Sequence, residues 1–178
     1  QRIGSKFLHA GPGFGGSCFP EDLAALVQMG ENAGSPMQIA GAAATVNTQQ
    51  RTRMVAKIGQ ALGKLKGVTI GVLGLSFKPN TNDLREAPAL SIAEELMKQG
   101  ATVRAYDPAA LEEATRILPG IVPCQNTEET AKDADALVLM TEWNEFRNLD
   151  FTKLKPLMRK PVLIDLRNVY EPSRVTQF

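Results

Sequence analysis

From Lys66 onward the chain repeats one unit: a short apolar run ending in small or charged residues, then a stretch of helical period. "GVTIGVLGLSF" reads as a strand, "APALSIAEELMKQG" as a helix closed by Gly100, and "TVRAYDP" as a strand ended by Asp107 and Pro108. A helix around 109–117 and a short apolar stretch near Ile121 and Val122 come next. A small helix in "TEETAKDA", a strand in "DALVLMT", a helix in "FTKLKPLM" and a last strand in "PVLIDLR" complete the pattern. Strands alternating with helices of this length make βαβ units, and right-handed crossovers lay them into a parallel sheet. The expected class is α/β, a Rossmann-like parallel sheet with flanking helices. Ligands in such sheets sit outside the carboxyl ends of the strands. Those ends carry Phe77, Lys78, Asp107, Thr141 and Arg167.

A first strand running into "GVLGLSFK", with an acid after the second strand, invites a nicotinamide-dinucleotide reading. The spacing refuses it. The fingerprint needs G-x-G-x-x-G opening a helix. Here Gly71 and Gly74 are followed by Leu75, Ser76 and Phe77, then by a polar loop, "KPNTNDLRE". Asp107 also falls later than the usual spacing of about 20 residues. The domain is Rossmann-like in fold but not a main dinucleotide site.

Upstream, residues 1 to about 19 read as loop. A helix follows, with Pro20 at its first position, where a missing N–H costs nothing, and with Glu21 and Asp22 in the first turn, favoured by the helix dipole. Leu23, Leu26 and Val27 form its apolar stripe, and Gly34 with Pro36 ends it. A longer helix runs from about Met37 to Leu62 or Leu65, with Met54, Val55, Ile58, Leu62 and Leu65 at helical spacing. Its middle, "NTQQRTR" (47–53), is polar on every side. Such a girdle crosses between domains, lies against another subunit or is a solvated face, and all three readings stand.

Composition narrows the function. A formal charge of +1 gives no general case for nucleic acid or acidic membranes. No apolar run approaches the roughly 18 residues of a membrane span. Two cysteines in unlike settings and a single histidine exclude a structural zinc site and leave no metal expected. Free thiols fit a reducing, cytoplasmic setting. The opening "QRIGSKFLHAG" has no signal-peptide core and no initiator Met, so a piece of a longer protein is expected.

The stretch that carries chemistry is "GPGFGGSCFPED", residues 11–22. A thiolate is a nucleophile, and Cys18 sits where a helix begins, so the dipole favours it while Glu21 and Asp22 oppose it. The glycines let a ligand approach the backbone. Asp22, four residues on, is near enough to hold a water at a sulfur-bound intermediate. A Gly-rich connector with a packed cysteine remains the alternative on these residues alone.

Three segments in order and register, "QRIGSKFLHAGPGFGGSCFPED", "GVLGLSFKPNTNDLREAP" and "VLIDLRNVYEP", resemble the nucleotide-sugar dehydrogenase family, nearest its UDP-glucose-oxidising branch. The resemblance covers the family's central helical segment and C-terminal domain, without the N-terminal nicotinamide-binding domain. It implies residues 1–65 as an active-site loop with a helical dimerisation segment, and residues 66–178 as the UDP-sugar domain. It also implies NAD as cofactor, a UDP-sugar substrate and a homodimer or higher homo-oligomer through the central helix. The reaction implied is a four-electron oxidation of a sugar CH₂OH to a carboxylate. Cys18 would form a thiohemiacetal and then a thioester, and Asp22 would serve its hydrolysis.

Phe7 and the run His9, Ala10, Gly11, Pro12, Gly13, Phe14 and Gly15 align with the family's substrate loop. Phe77, Lys78 and Arg167 align with further substrate contacts, and Lys78 and Arg167 suit a diphosphate. Ser17, Cys18, Phe19, Pro20 and Arg85 align with the cofactor edge. Arg2 aligns with an arginine reaching a neighbouring subunit's site. Glu21 stands where the family often has Lys, and His9 is atypical. The alternatives are a sister enzyme for GDP-mannose or a UDP-N-acetylhexosamine, and a non-catalytic binding or dimerisation module. Cys124 and the Asp107–Pro108 turn read as structural.

Overall fold

The computed structural model describes Gly4 and residues 9–177. Two helices open it, α1 (Cys18–Asn32) and α2 (Gln38–Leu62). The alternating region then folds as β1 (Thr69–Leu73), α3 (Pro88–Lys98), β2 (Thr102–Tyr106), α4 (Leu111–Ile117) and β3 (Val122–Pro123). It continues with α5 (Thr127–Ala131), β4 (Ala136–Leu139), α6 (Phe151–Leu154), β5 (Leu163–Asp165) and α7 (Pro172–Val175). The helix expected over "FTKLKPLM" is α6 continued by a 3₁₀ turn at Lys155–Leu157, whereas the 3₁₀ turn at Asn144–Asn148 and α7 carry too few periodic residues to be read from sequence.

The sheet is parallel throughout, in the order β3-β2-β1-β4-β5. Chain direction across the sheet reverses between β1 and β4, so the crevice for a ligand lies above those two strands. Strand residues alternate between two apolar layers. Ile70, Val72, Val103 and Val138 face the layer built by α3, α4 and the C-terminal half of α2. Leu73, Leu137 and Leu139 face Ala131 of α5, Phe146 and Leu154. Both faces of the central strands are therefore covered, which is why they read as continuous apolar runs.

The junction between the helical pair and the sheet is apolar. Met54, Val55 and Ile58 of α2 are buried in the first layer, Ile58 completely. Truncating Ile58 to alanine would cost about 2–5 kcal/mol and loosen α2 from the sheet.

The expected stripe of α1 is a correction. The helix starts at Cys18, before Pro20, and Gly30 is its only buried residue, while Leu26 is 43% exposed. Helix α1 packs on α2 with no sheet beneath it, so its apolar residues gain little burial.

Candidate active site

The glycine-rich loop is held between two walls. On one side stands the polar middle of α2. Asn47 Oδ1 accepts from the Phe14 N–H at 2.8 Å, and Asn47 Nδ2 donates to the Phe14 carbonyl at 3.1 Å. Gln50 Nε2 donates to the Gly11 carbonyl at 3.0 Å. Arg51 Nη2 donates to the Glu86 carbonyl at 3.1 Å and lies 3.5 Å from both the Phe14 carbonyl and the Glu86 carboxylate. Gly13 takes φ +120° against Asn47, where a side chain would be strained and would meet the Asn47 amide oxygen. Asn47, Gln50 and Arg51 of the girdle "NTQQRTR" thus template the loop backbone, while Thr48, Gln49, Thr52 and Arg53 are exposed.

The other wall is the loop after β1. The Gly16 N–H donates to the Arg85 carbonyl at 2.9 Å. A Cβ on Gly15 would collide with the Glu86 carbonyl oxygen, so only glycine permits this approach. Glu86 itself sits at φ +49°, a left-handed conformation that ordinary residues avoid. The Phe77 ring lies against Gly16, and Lys78 Nζ stands 5.2 Å from the centroid of that ring.

Carboxylates at two strand ends, Asp107 buried and Asp165 partly buried, set the sheet-end loops. Asp107 is 3% exposed and accepts from the Leu75 and Ser76 N–H groups, the Ser76 hydroxyl, and the Ala109 and Ala110 N–H groups. The Thr141 hydroxyl donates to the Ser76 carbonyl at 2.6 Å. The acid that ends β2 is fully engaged in holding the β1 loop, and so is not presented to a ribose. At the end of β5, Asp165 accepts from the Arg167, Val169 and Tyr170 N–H groups and shapes the turn that presents Arg167.

Arg167 meets Glu142, at the end of β4. Its Nη2 donates to Glu142 Oε1 at 2.8 Å, and its Nε lies 2.6 Å from Oε2. Oε2 is enclosed and has no well-directed hydrogen bond. Burial opposes ionisation of Glu142, but the hydrogen bond and charge of Arg167 outweigh it and hold the carboxyl below the usual range. The remaining nitrogen faces the glycine loop: a Cβ on Gly11 would stand 2.5 Å from Arg167 Nη1. Asn168 Nδ2 adds a contact to the Ala10 carbonyl at 3.3 Å.

Cys18 is exposed at the first residue of α1. Ser17 does not cap the helix; its Oγ lies 3.9 Å from Cys18 Sγ. The first-turn N–H groups therefore concentrate partial positive charge around the cysteine without a side-chain acceptor. Asp22 follows at i+4, on the same helical face. Arg85 forks onto Asp83, with Nη2 at 2.7 Å and Nε at 3.0 Å. That hydrogen bond, then the charge of Asp83 and the fields of Glu21 and Cys18, raise the Arg85 guanidinium above its ordinary value. Asp83 is lowered by the same hydrogen bond. Arg85 is thus close enough to feel the cysteine, and its partner is Asp83 rather than Glu86.

His9 and Ala10 are exposed, Pro12 is buried, and Phe14 stacks edge-on with Phe19 at 6.2 Å. Phe19 is half exposed and Pro20 partly buried in the first turn of α1. Arg2 and Phe7 lie outside the described residues. Cys124 is buried, 3.8 Å from the Val122 carbonyl, a packing role. Sequence reading missed Asn47, Gln50, Arg51 and Glu142. The signal for the first three was phase: 47, 51, 54 and 58 share one helical stripe whose chemistry changes from apolar to polar while its spacing does not. Glu142 had the same signal as Asp107, an acid just past a strand end.

Residues 71–172, more than half of the chain, match the model "UDP-glucose/GDP-mannose dehydrogenase family, UDP binding domain", and residues 1–49 match the family's central domain. The chain is 47% identical to a UDP-glucose 6-dehydrogenase of Rhizobium meliloti, over 99% of this chain and 40% of the relative. It is 48% identical to UDP-glucose 6-dehydrogenase TuaD of Bacillus subtilis, over 96% of this chain and 37% of the relative. It thus spans about 40% of the length of such relatives. Among solved structures, a UDP-glucose dehydrogenase from Pyrobaculum islandicum superposes with a TM-score of 0.85 at 36% identity, covering 94% of this chain and 38% of that one. A GDP-mannose dehydrogenase from Pseudomonas aeruginosa gives a TM-score of 0.80 at 26% identity, covering 95% of this chain and 39% of that one.

Proposed function

This chain belongs to the UDP-glucose/GDP-mannose dehydrogenase family, and from that premise we propose that it is the C-terminal part of an NAD-dependent UDP-glucose 6-dehydrogenase. The observation that carries the reading is the seating of the Cys18 loop. Its backbone is templated by Asn47 and Gln50 and closed against Arg85, Glu86 and Arg167, above the β1/β4 crevice. Residues 1–65 supply the active-site loop and a dimerisation segment, and residues 66–178 bind the UDP-sugar. The nucleotide sugar would lie along His9–Gly15, with Phe77, Lys78 and Arg167 at the strand ends.

The residues fit a dinucleotide at the other edge of the loop. An uncapped helix start at Ser17–Pro20 and the two-thirds-exposed Arg85 side chain offer donors and positive charge to its polar groups. Bound NAD supplies the hydride acceptor for both oxidations. The part played by Cys18 is covalent: its sulfur adds to the aldehyde carbon, holds the carbon as a thioester, and departs as thiolate when water attacks. Asp22 holds that water and takes its proton.

Among the described residues no strand leads through a glycine fingerprint into a helix: the Gly11–Gly16 run has the spacing but enters α1 without a described strand before it, and β1 runs into Gly74, Leu75 and Ser76, so the chain alone would produce no NADH. Exposed apolar residues on the first two helices, with Ile39 at 88%, Met29 at 67% and Val46 at 60%, support an interface between copies along α2. Across it, Arg2 would serve the partner's Cys18, as C2 reciprocity allows.

The test uses the full-length protein and UDP-glucose. Cys18→Ser should abolish turnover to the acid, because an alkoxide leaves far less readily than a thiolate. Asp22→Asn should let the sugar thioester accumulate on Cys18, visible as a mass increment under turnover. Undiminished acid formation by Cys18→Ser would remove the covalent mechanism. Preference for GDP-mannose or a UDP-N-acetylhexosamine over UDP-glucose would reassign the substrate.

A further inference from the structure

Arg167, past the end of β5, already carries a carboxylate on its fork. Glu142 takes the Nε and Nη2 side at 2.6 and 2.8 Å, while Nη1 is turned toward Gly11. The two side chains are 18% and 20% exposed, so solvent screens the pair weakly and its net charge is zero. Lys78, in the loop after β1, is exposed and makes no ion pair among the described residues; its ring contact is with Phe77. The two cations at the crevice are thus not equivalent.

We propose that Glu142 is a positioning residue and a built-in counter-anion: it fixes the Arg167 guanidinium against the glycine loop and makes the site discriminate against ligands of high negative charge. The inference rests on the nucleotide-sugar reading above. Arg167 then acts as a directed donor to the loop and to ligand oxygens, and the diphosphate charge falls to Lys78. A nucleoside diphosphate with a free terminal phosphate carries about one more negative charge than its sugar ester above the second phosphate pKa near 6. Glu142 repels that extra charge and leaves the neutral sugar untouched. The carboxylate at the crevice thereby favours the nucleotide sugar over the free diphosphate of the same base.

The experiment is calorimetric titration of the full-length protein, without NAD, with UDP and with UDP-glucose, at pH 8 and low salt, in the wild type and the isosteric Glu142→Gln. Releasing the Arg167 charge should raise the UDP affinity relative to UDP-glucose by about three- to tenfold, as one lightly screened charge at this range implies. The UDP affinity should also become more salt-dependent. Glu142→Asp, which keeps the charge, should keep the wild-type ratio. A merely structural role for Glu142 would weaken both ligands together and leave the ratio unmoved, and that result overturns the proposal. Lys78→Gln gives an independent reading should Glu142→Gln not fold: it should weaken UDP more than UDP-glucose, and equal losses refute the division of labour. A wild-type full-length protein that binds neither ligand removes the nucleotide reading and this inference with it. Binding with an unchanged ratio in Glu142→Gln removes the inference alone.

Discussion

Replacing Asn47 by alanine should open the glycine loop without unfolding the sheet. Asn47 makes two hydrogen bonds to one residue, accepting from the Phe14 N–H at 2.8 Å and donating to its carbonyl at 3.1 Å. Each such bond is worth about 1 kcal/mol net in a partly buried setting, so both together give the closed loop about 2 kcal/mol. Water can reach the loop once it opens, so no lasting desolvation penalty is added. A local loss of about 2 kcal/mol raises the open population roughly 30-fold. Native-state hydrogen exchange reads this directly: the Phe14 amide should exchange about 10- to 30-fold faster in Asn47→Ala. The amides of Ile70 and Val72 in β1 should not change, since their layer is untouched. Asn47→Asp keeps the acceptor for the N–H but sets a carboxylate against the Phe14 carbonyl, and should fall between the two. Unchanged exchange at Phe14 in Asn47→Ala would mean that the contacts to Arg85 and Glu86 hold the loop by themselves, and the template role of α2 would be refuted.

Gly15→Ala should push the loop off the Glu86 carbonyl, which is backbone and cannot swing aside; protection of the Gly16 amide, which donates to Arg85, should drop with little change in melting temperature. Asp107→Ala leaves buried donors of Leu75, Ser76 and Ala110 without their acceptor, and urea unfolding should show a loss of about 3 kcal/mol or more. Asp133 sits at φ +57° on an exposed turn, so Asp133→Gly should raise stability by about 0.5–1 kcal/mol, seen as a higher melting temperature. Glu142 titrates lower in the folded chain than in the unfolded one. Its contribution is therefore present above the unfolded carboxyl value and is lost as pH falls through the depressed folded value. Melting curves from neutral into acid should show that loss in the wild type and a smaller one in Glu142→Gln.

The alternation of strands and helices was legible because each central strand is buried on both faces, which leaves an uninterrupted apolar run in the sequence. Helix α1 was harder. Its period was correct, but burial depends on what lies beneath a helix, and α1 packs chiefly on α2. The loop chemistry was legible through glycine spacing around Cys18, since close approach to Asn47 and Glu86 leaves few other residues possible.

Three strand-ending acids show where residue-by-residue reading stops. Asp107, Glu142 and Asp165 each follow an apolar strand, and by local pattern all three are equal candidates for a ligand. Asp107 is consumed by N–H groups of the β1 loop, and Asp165 by those of its own turn. Of the three, Glu142 alone pairs its charge with a cationic side chain, and it does so across 25 residues. What separates the three is the set of donors that the sheet order β2-β1-β4-β5 brings above each strand end. Local spacing reports none of those donors. The same applies to Asn47, whose partner Phe14 lies 33 residues away. Each residue missed from sequence acts through a long-range pair, while the cysteine loop was found because its constraint is local. A functional residue is thus visible in a single sequence to the extent that its geometry is set by its own neighbours in the chain.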